Sequence, residues 1–252
     1  MRVLAMDTAT SAITVAVHDG QAVLATRSTI DARRHTELLA PLILEVLAAA
    51  RTTPEEITHV AVGTGPGPFT GLRVGLVTAQ TFAHARGIAV HGVCSLDALA
   101  AAAARLGHEG DLLVATDARR KEVYWARYRC TAGEFEALDE PTVTRPADLP
   151  DEVRALPTVG RGPDLYPDLL PHALAPGGTD LLDVDAGVLA GIAAARIAAG
   201  EDMPIEPLYL RRPDAVASAP KPKSSRGPSP RQQQRDLRRA AERGARDGEA
   251  PQ

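Results

Sequence analysis

The stretch LAMDTATSAITVAV, which runs from Leu4 to Val17, has a counterpart in LVATDARRKEVYWARY, which runs from Leu113 to Tyr128. In each stretch an apolar strand ends in an aspartate, and a short turn leads into a second strand. The two aspartates are Asp7 and Asp117. Few residues are identical between the stretches, but the repeated order of elements indicates an internal duplication. The sequence therefore predicts an α/β protein built from two similar halves.

The elements between and after these stretches support that division. Three strands at the start are followed by a helix at 35–51, a strand, a helix at 70–86, another strand, and an alanine-rich helix that begins at Ser95. A second strand-rich region starts near Asp111, and a helix lies within 183–199. We therefore predict an N-terminal α/β lobe of residues 1–107, a C-terminal α/β lobe of residues 108–217 and a tail of residues 218–252.

Composition narrows the class of protein. The chain of 252 residues is 44% hydrophobic but only 3% aromatic, so alanine, leucine and valine must fill its core. Cys94 and Cys130 form neither a C-x-x-C motif nor a disulfide framework, which is typical of a reducing compartment. The apolar run at the N-terminus is too short for a secretory signal, and no apolar segment approaches the ~20 residues of a membrane span. We expect a cytoplasmic protein with no membrane contact.

The tail differs in charge from the rest of the chain. From Ser218 onward it carries nine Lys or Arg and four Asp or Glu, whereas the net charge of the whole chain is −4. It is rich in Pro, Ser, Gln and Arg, and we expect it to be disordered, with a short helix around 231–243. A basic tail can contact RNA phosphates, or it can be a dispensable solvated extension. Both interpretations stay open.

The glycine-rich stretch VGTGPGPFTGLRVGLVTAQ, from Val62 to Gln80, lies between a strand and a helix, where nucleotide-binding loops often lie. It matches neither the Walker pattern nor the dinucleotide pattern G-x-G-x-x-G. Pro66 and Pro68 also remove two backbone N–H donors that a phosphate cradle would use. The pattern favours a rigid strand-to-helix corner, while the free N–H groups at the start of the helix leave weak anion binding open.

The helices at 35–51 and 70–86 carry more apolar surface than one sheet can cover. A helix that packs on one sheet needs an apolar stripe only slightly wider than 100°, but here apolar residues spread over two faces. The surplus face is either covered by later elements of the chain or forms a subunit interface, which we prefer. The residues predicted for the interface are Leu38, Leu42, Val46, Gly71, Arg73, Val74, Gly75 and Val77. We expect Arg73 to pair with an acid, within the chain or across the interface.

Catalytic patterns are scarce. No two of the seven histidines are spaced i, i+4, and there is no G-x-S-x-G motif. The sequence therefore predicts neither a metal site nor catalytic residues. Asp7, Thr8 and Asp117 occupy positions suited to nucleotide loops, where the two aspartates either bind Mg²⁺ and nucleotide or cap the turns that follow them.

Four motifs together resemble the bacterial TsaB (YeaZ) family: MDTAT, GTGPGPFTGLRVG, DARRKEVYWA and PLYLR, in this order. The resemblance extends from Arg2 to about Pro213 and leaves the tail uncovered. It implies an actin-like, sugar-kinase-like fold, also described as ribonuclease H-like, with two duplicated α/β lobes. It further implies a role in threonylcarbamoylation of the adenosine next to the anticodon of tRNAs that read codons beginning with A.

The resemblance also implies the partners. In the family TsaB is a non-catalytic subunit, its paralogue TsaD carries out the transfer, and the ATPase TsaE joins the pair. TsaB and TsaD associate through the two helices with surplus apolar surface, and TsaB alone can form a homodimer. Contact with tRNA is then indirect, and no cofactor is required, although weak nucleotide binding is compatible with the motifs.

Two departures from catalytic relatives agree with this role. TsaD-like enzymes carry H-x-x-x-H after the glycine loop, and this chain has Ser95 and Leu99 at those positions. The turn DTATS also lacks the glycine that usually follows the aspartate of the phosphate loop, which makes Asp7, Thr8 and Asp117 vestigial positions. The alternatives are an ATP- and Mg²⁺-dependent phosphotransferase that uses the two aspartates, and a metallopeptidase-like protein.

Overall fold

The computed structural model describes residues 1–31, 33–175 and 181–211, together with 234–235 and 237–238. Met1–Arg212 forms one compact unit. Its first half contains β1 Val3–Asp7, β2 Ala12–His18, β3 Val23–Ile30, α1 His35–Ala49, β4 His59–Gly63, α2 Phe69–Arg86, β5 Ala89–Val93 and α3 Ser95–Arg105. Its second half contains β6 Gly110–Asp117, β7 Val123–Thr131, β8 Glu134–Ala137, β9 Thr142–Thr144, α4 Asp151–Arg154, β10 Thr158–Val159, α5 Gly162–Leu165 and α6 Ala186–Ala199.

The two sheets repeat one topology. The first has the order β3-β2-β1-β4-β5, with antiparallel pairs at β3-β2-β1 and parallel pairs at β1-β4-β5. The second has the order β8-β7-β6-β10, with antiparallel pairs at β8-β7-β6 and a parallel pair at β6-β10. The equivalence of β1-β2 with β6-β7 is the duplication that the two aspartate-containing stretches predict. The predicted α/β fold class is confirmed.

The side chains of β1 alternate between two cores. Leu4 and Met6 pack with α1 and α2 on one face of the first sheet, while Val3 and Ala5 face a central core that is shared with α3, α6 and the second sheet. This alternation follows from the period of two residues along a strand. The first sheet is therefore buried on both faces, which fixes the position of the turn after Asp7.

The central core depends on small side chains. Nine residues of α3 are buried, and six of them are alanines, so that this helix packs closely between the second sheet and α6. Helix α6 begins at a capping residue, Asp185, whose carboxylate accepts hydrogen bonds from the N–H groups of Gly187 and Val188. Since α6 contacts β1 and β2, an element of the predicted C-terminal lobe completes the core of the N-terminal one. The lobe boundary at 107/108 stays a prediction.

The predicted disordered tail, 218–252, lies outside the described residues except for four positions. Residues 234, 235, 237 and 238 are helical, within the range 231–243 where the sequence allows a short helix. Within the residues that the structure describes, no helix combines the length and the apolar character that crossing a bilayer requires.

Candidate functional site

Asp7 lies completely buried at the end of β1 and is held by two hydrogen bonds. Its Oδ1 accepts from the N–H of Ala9 at 2.8 Å, and its Oδ2 accepts from the Ser95 hydroxyl at 2.5 Å. Burial raises the pKa of Asp7 to about 6, against the lowering effect of the Ser95 hydrogen bond. The carboxylate thus caps its own turn and ties β1 to the start of α3.

Asp117 ends the equivalent strand of the second sheet and is held in a similar way. Its Oδ1 accepts from the N–H of Arg119 at 2.7 Å, and its Oδ2 pairs with the Arg119 guanidinium at 3.0 Å. The turn then continues through three non-glycine residues, Arg119, Arg120 and Lys121, with positive φ angles of 61°, 55° and 63°. Such conformations are costly outside glycine, so the turn is a fixed feature of the fold. Both aspartates cap turns.

The interturn cleft, defined as the space between the turns after β1 and β6, is closed. It is lined by Ser11, Asp117, Arg161 and Asp183, among others, and its volume is about 10 Å³. The Arg161 guanidinium donates to both carboxylate oxygens of Asp183, and Asp183 also accepts from the Ser11 N–H at 3.1 Å. A volume of this size holds about one water molecule, whereas pockets for drug-sized ligands occupy ~300 Å³ or more.

The glycine loop packs against the first aspartate turn. A Cβ atom on Gly63 would overlap the Asp7 carboxylate, and a Cβ on Gly67 would lie 2.5 Å from the Ala9 carbonyl oxygen. The N–H of Gly65 donates to the Ser95 hydroxyl at 3.2 Å. The loop is buried from 63 to 67, which agrees with a rigid corner in which glycines permit close packing.

Thr8 joins the same corner to α2. Its hydroxyl donates to the Gly71 carbonyl at 2.7 Å and accepts from the Gly75 N–H at 3.0 Å. Cβ atoms at Gly71 and Gly75 would lie 2.7 and 2.6 Å from oxygens of Thr8. Gly71 therefore makes room for the backbone of Thr8, in the turn after β1, and Gly75 makes room for the Thr8 side chain.

The other two family motifs, DARRKEVYWA and PLYLR, contact the glycine loop and the turn after β6. The Tyr124 hydroxyl of β7 donates to the Gly67 carbonyl at 3.3 Å. Arg211, from the segment PLYLR, donates to the Ala118 carbonyl at 2.7 Å and forms an ion pair with Glu122. All four motifs that carry the family resemblance thus meet around the interturn cleft.

Arg73 has aromatic partners in the described part of the chain. Its guanidinium lies 3.6 Å from the centre of the Phe69 ring, and its Nε donates to the Tyr209 hydroxyl at 2.9 Å. The Phe69 and Tyr209 rings also contact each other, with centroids 4.8 Å apart. The expectation of an acidic partner is not met among these residues, because Tyr209 folds back onto α2 from the end of the unit and a planar guanidinium stacks well on aromatic rings.

An open apolar groove runs between α1 and α2. One part of it, about 420 Å³ in volume, is lined by residues of both helices, and a second part of about 430 Å³ continues along α2 past Val74 and Arg73. Val77 lines both parts. Leu44 is 68% exposed and Val77 is 58% exposed, although large apolar side chains are usually buried. We call this surface the α1/α2 groove.

The predicted interface residues divide between the core and this surface. Leu42, Val46, Gly71 and Gly75 are buried inside the chain, Leu38 and Val74 are half-buried, and Arg73 and Val77 are exposed. The inner face of α2 packs on the sheet through Leu72, Leu76, Ala79 and Ala83. Whether the surface residues bind a partner stays a prediction, and the four buried residues support the groove from below.

Three features of the site were not predicted from sequence. The Ser95–Asp7 hydrogen bond joins residues 88 positions apart, and Tyr209 reaches Arg73 over 136 positions. The only available signal was that Ser95 follows the glycine loop and that Tyr209 belongs to PLYLR. The third feature is His35, which is 9% exposed and whose Nε2 has no hydrogen-bond partner. Within 1–31, 33–175 and 181–211, no three His, Cys, Asp or Glu side chains form a cluster that could hold a metal ion.

Comparison with known proteins gives matches over most of the chain. Residues 25–154 match the TsaD family, described as tRNA N6-adenosine threonylcarbamoyltransferase. An uncharacterized protein of Mycobacterium tuberculosis is 44% identical over 216 residues, covering 84% of this chain and 93% of that protein. The tRNA threonylcarbamoyladenosine biosynthesis protein TsaB of Escherichia coli is 34% identical over 228 residues, covering 84% of this chain and 95% of that protein.

Solved structures give the same result. A Pseudomonas aeruginosa protein described as similar to peptidase YEAZ superposes with a TM-score of 0.71 at 31% identity, covering 83% of this chain and 99% of that one. A structure of YeaZ from the same species has a TM-score of 0.67 at 29% identity, covering 82% and 98%. This chain is 34% identical to TsaB over 95% of the length of that protein, and the four family motifs meet around the interturn cleft. The chain therefore belongs to the TsaB (YeaZ) family.

Proposed function

We propose that this chain is a non-catalytic scaffold subunit that binds a TsaD homologue. The pair would carry out threonylcarbamoylation of the adenosine next to the anticodon of tRNAs that read codons beginning with A. The observation that carries the proposal is the contrast between the closed interturn cleft and the open α1/α2 groove. The Escherichia coli relative is named as a biosynthesis protein for this modified nucleoside.

The groove supports a protein partner. Leu44 and Val77 project from the two helices, and the groove between them is lined mainly by aliphatic side chains and Phe82. Exposed apolar surface of this extent usually marks an interaction site. The Arg73, Phe69 and Tyr209 stack forms the rim next to it, and arginine and aromatic residues are enriched in interface hot spots. In the absence of TsaD, a second copy of the chain would cover the same surface.

The cleft supports the non-catalytic part of the proposal. A phosphotransferase would need space for ATP between the two aspartate turns, but this space is occupied by the ion pair of Arg161 and Asp183. Ser95 donates its hydrogen bond to Asp7, and Leu99 is buried in the central core, so neither is arranged to ligate a metal. The chain would therefore require no cofactor of its own, would act in the cytoplasm, and would contact tRNA and the TsaE ATPase through the complex.

Reconstitution tests the proposal. The TsaD homologue of the same organism, tRNA and threonylcarbamoyl-adenylate are incubated with and without this chain, and the modified nucleoside is quantified after digestion of the tRNA. We expect product only when both proteins are present, and we expect them to elute together in size-exclusion chromatography. Product formed by this chain alone, or ATP turnover by this chain alone, would contradict the scaffold role.

A further inference from the structure

A second cavity lies where the N-terminal ends of α1 and α2 meet. It has a volume of about 270 Å³ and adjoins the second part of the α1/α2 groove, with which it shares Thr36, Thr70 and Val74. His35 and Thr36 of α1 line one side, and Thr70 and Gly71 of α2 line another. We call it the helix-end cavity.

Both helix ends leave backbone donors without a capping side chain. Helix α1 follows Arg34 and helix α2 follows Pro68, and neither residue makes a side-chain capping hydrogen bond. The first N–H groups of a helix have no acceptor within the helix, and the helix dipole places partial positive charge at the same end. The helices are 15 and 18 residues long. Two helix N-termini that face the same cavity together supply free N–H donors and partial positive charge, which favour a bound anion.

His35 provides an independent indication of a ligand. It is 91% buried and lines the cavity, yet its Nε2 has no hydrogen-bond partner. The Nε2 faces the first turn of α2, where a Cβ on Gly71 would lie 3.5 Å away. An unpaired buried polar atom is costly, and a ligand in this cavity is a natural partner for the imidazole.

The charged residues that line the cavity are cationic. Arg33 and Arg119 belong to its lining, and none of the described residues that line it is an Asp or Glu, while Glu37 lies next to it in the first turn of α1. Arg119 is also held by Asp117, through an ion pair of 3.0 Å and a backbone hydrogen bond, which fixes the position of the arginine at the cavity. The arginines add charge-assisted donors to the donors of the helix ends.

We propose that the helix-end cavity binds a phosphate group. Its lining combines two helix ends with residues that carry donor groups: Thr36, Thr70 and the two arginines. A tetrahedral anion with several acceptor oxygens matches that arrangement better than a planar carboxylate. Among the described residues of the lining there is no Phe, Tyr or Trp on which a base could stack, so the phosphate itself is the recognised group, either free or as part of a nucleotide or an RNA backbone.

Thr70→Glu compared with Thr70→Gln tests the site in the full-length chain. Thr70 is exposed in the first turn of α2, where a carboxylate suits the helix end but repels a bound phosphate. Inorganic phosphate is titrated into ¹⁵N-labelled protein, and the amide signals of residues 35, 36, 70 and 71 are followed. We expect saturable shifts in the wild type and in Thr70→Gln. We expect Thr70→Glu to lose at least about tenfold in affinity while its circular dichroism melting curve is retained.

Arg33→Gln provides a second test, with Arg27→Gln as the control that removes the same charge. Arg27 lies in β3, is exposed, and does not line the cavity. Arg33→Gln should weaken phosphate binding about tenfold, and Arg27→Gln should leave it unchanged. The absence of saturable shifts at the four amides, or an equal loss in both arginine variants, would overturn the proposal.

Competition identifies the source of the phosphate. The same titration is repeated in the presence of AMP or of tRNA. Displacement by AMP at concentrations similar to inorganic phosphate supports a nucleotide, and displacement by far lower concentrations of tRNA supports an RNA backbone. Because these measurements use this chain alone, they succeed or fail independently of the proposed pairing with TsaD.

Discussion

The interturn cleft and the α1/α2 groove differ in what fills them. The cleft holds about 10 Å³ and is occupied by an ion pair between Arg161 and Asp183. The groove holds about 420 Å³ and exposes Leu44 and Val77 to solvent. The duplicated fold thus retains the aspartate turns but closes the space between them, while the apolar surface is left open on the outer helices. The proposed scaffold role accounts for this difference, because it needs an open apolar surface and no substrate cleft.

The largest expected effect comes from a charge on the buried face of α1. Leu42 is 7% exposed and belongs to the core under the groove. Leu42→Asp places a charge there without a partner and should lower the free energy of unfolding by about 4 kcal/mol. Chemical denaturation followed by circular dichroism measures it. The control is Leu165→Asp at a 47% exposed position, which should change the free energy of unfolding by less than about 0.5 kcal/mol.

Asp7→Asn tests the cleft through its pH dependence. The pKa of Asp7 is raised by burial from 3.8 to about 6, so the folded chain binds this proton more tightly than the unfolded chain does. The protonated carboxyl of Asp7 therefore contributes stability that is lost as the pH rises from about 4 through 6. Above that range the buried, ionised carboxylate lowers the free energy of unfolding by about 3 kcal/mol. Asp7→Asn should be more stable than the wild type at pH 8, and the gain should vanish below pH 4.

The matched variant Asp117→Asn should show no such gain, because it loses the ion pair with Arg119. If Asp7→Asn is instead less stable than the wild type at pH 8, the hydrogen bonds that the carboxylate accepts from Ala9 and Ser95 outweigh the cost of burying its charge.

Arg161→Gln tests whether the Arg161–Asp183 ion pair closes the interturn cleft. The pair with Asp183 is largely buried, with side-chain exposures of 25% and 9%, and the hydrogen bonds to Asp183 raise the pKa of Arg161. We expect a loss of about 2 kcal/mol in the free energy of unfolding, measured by urea denaturation. Arg129→Gln, which breaks an exposed pair with Asp111, should cost less than about 0.5 kcal/mol. Equal effects would mean that the cleft is not closed by this pair.

Tyr209→Phe has the smallest expected effect on stability. The substitution removes the hydroxyl that accepts from Arg73 Nε but leaves the ring on Phe69. Because Tyr209 is 40% exposed, we expect a cost of about 0.5 kcal/mol. Tyr209→Ala removes the ring as well and should weaken partner binding more than it lowers stability. If Tyr209→Ala lowers stability but binds the TsaD homologue like the wild type, the stack of Arg73, Phe69 and Tyr209 is not part of the interface.

The fold could be predicted from sequence where local patterns decide it. The apolar run before Asp7 indicated β1, the repeated aspartate turn indicated the duplication, and the apolar residues on two faces of α2 indicated that one face, with Val77, would be left uncovered by the sheet. The one-turn helices α4 and α5 escaped prediction because four residues carry too little periodicity.

The site was harder to predict because its contacts are distant in sequence. Which face of α1 turns outward depends on packing against β2 and β3, and no local pattern encodes that choice. Ser95 reaches Asp7, and Tyr209 reaches Arg73, only after the sheets are assembled. The burial of His35 at the junction of two helix ends likewise follows from tertiary structure.

The most direct test of the scaffold role is the affinity of Val77→Asp for the TsaD homologue, measured by isothermal titration calorimetry beside the wild type and Leu165→Asp. Val77 is 58% exposed in the α1/α2 groove, so the variant should remain folded. The account predicts that Val77→Asp loses at least about tenfold in affinity, while Leu165→Asp binds like the wild type. Wild-type affinity in folded Val77→Asp would contradict it.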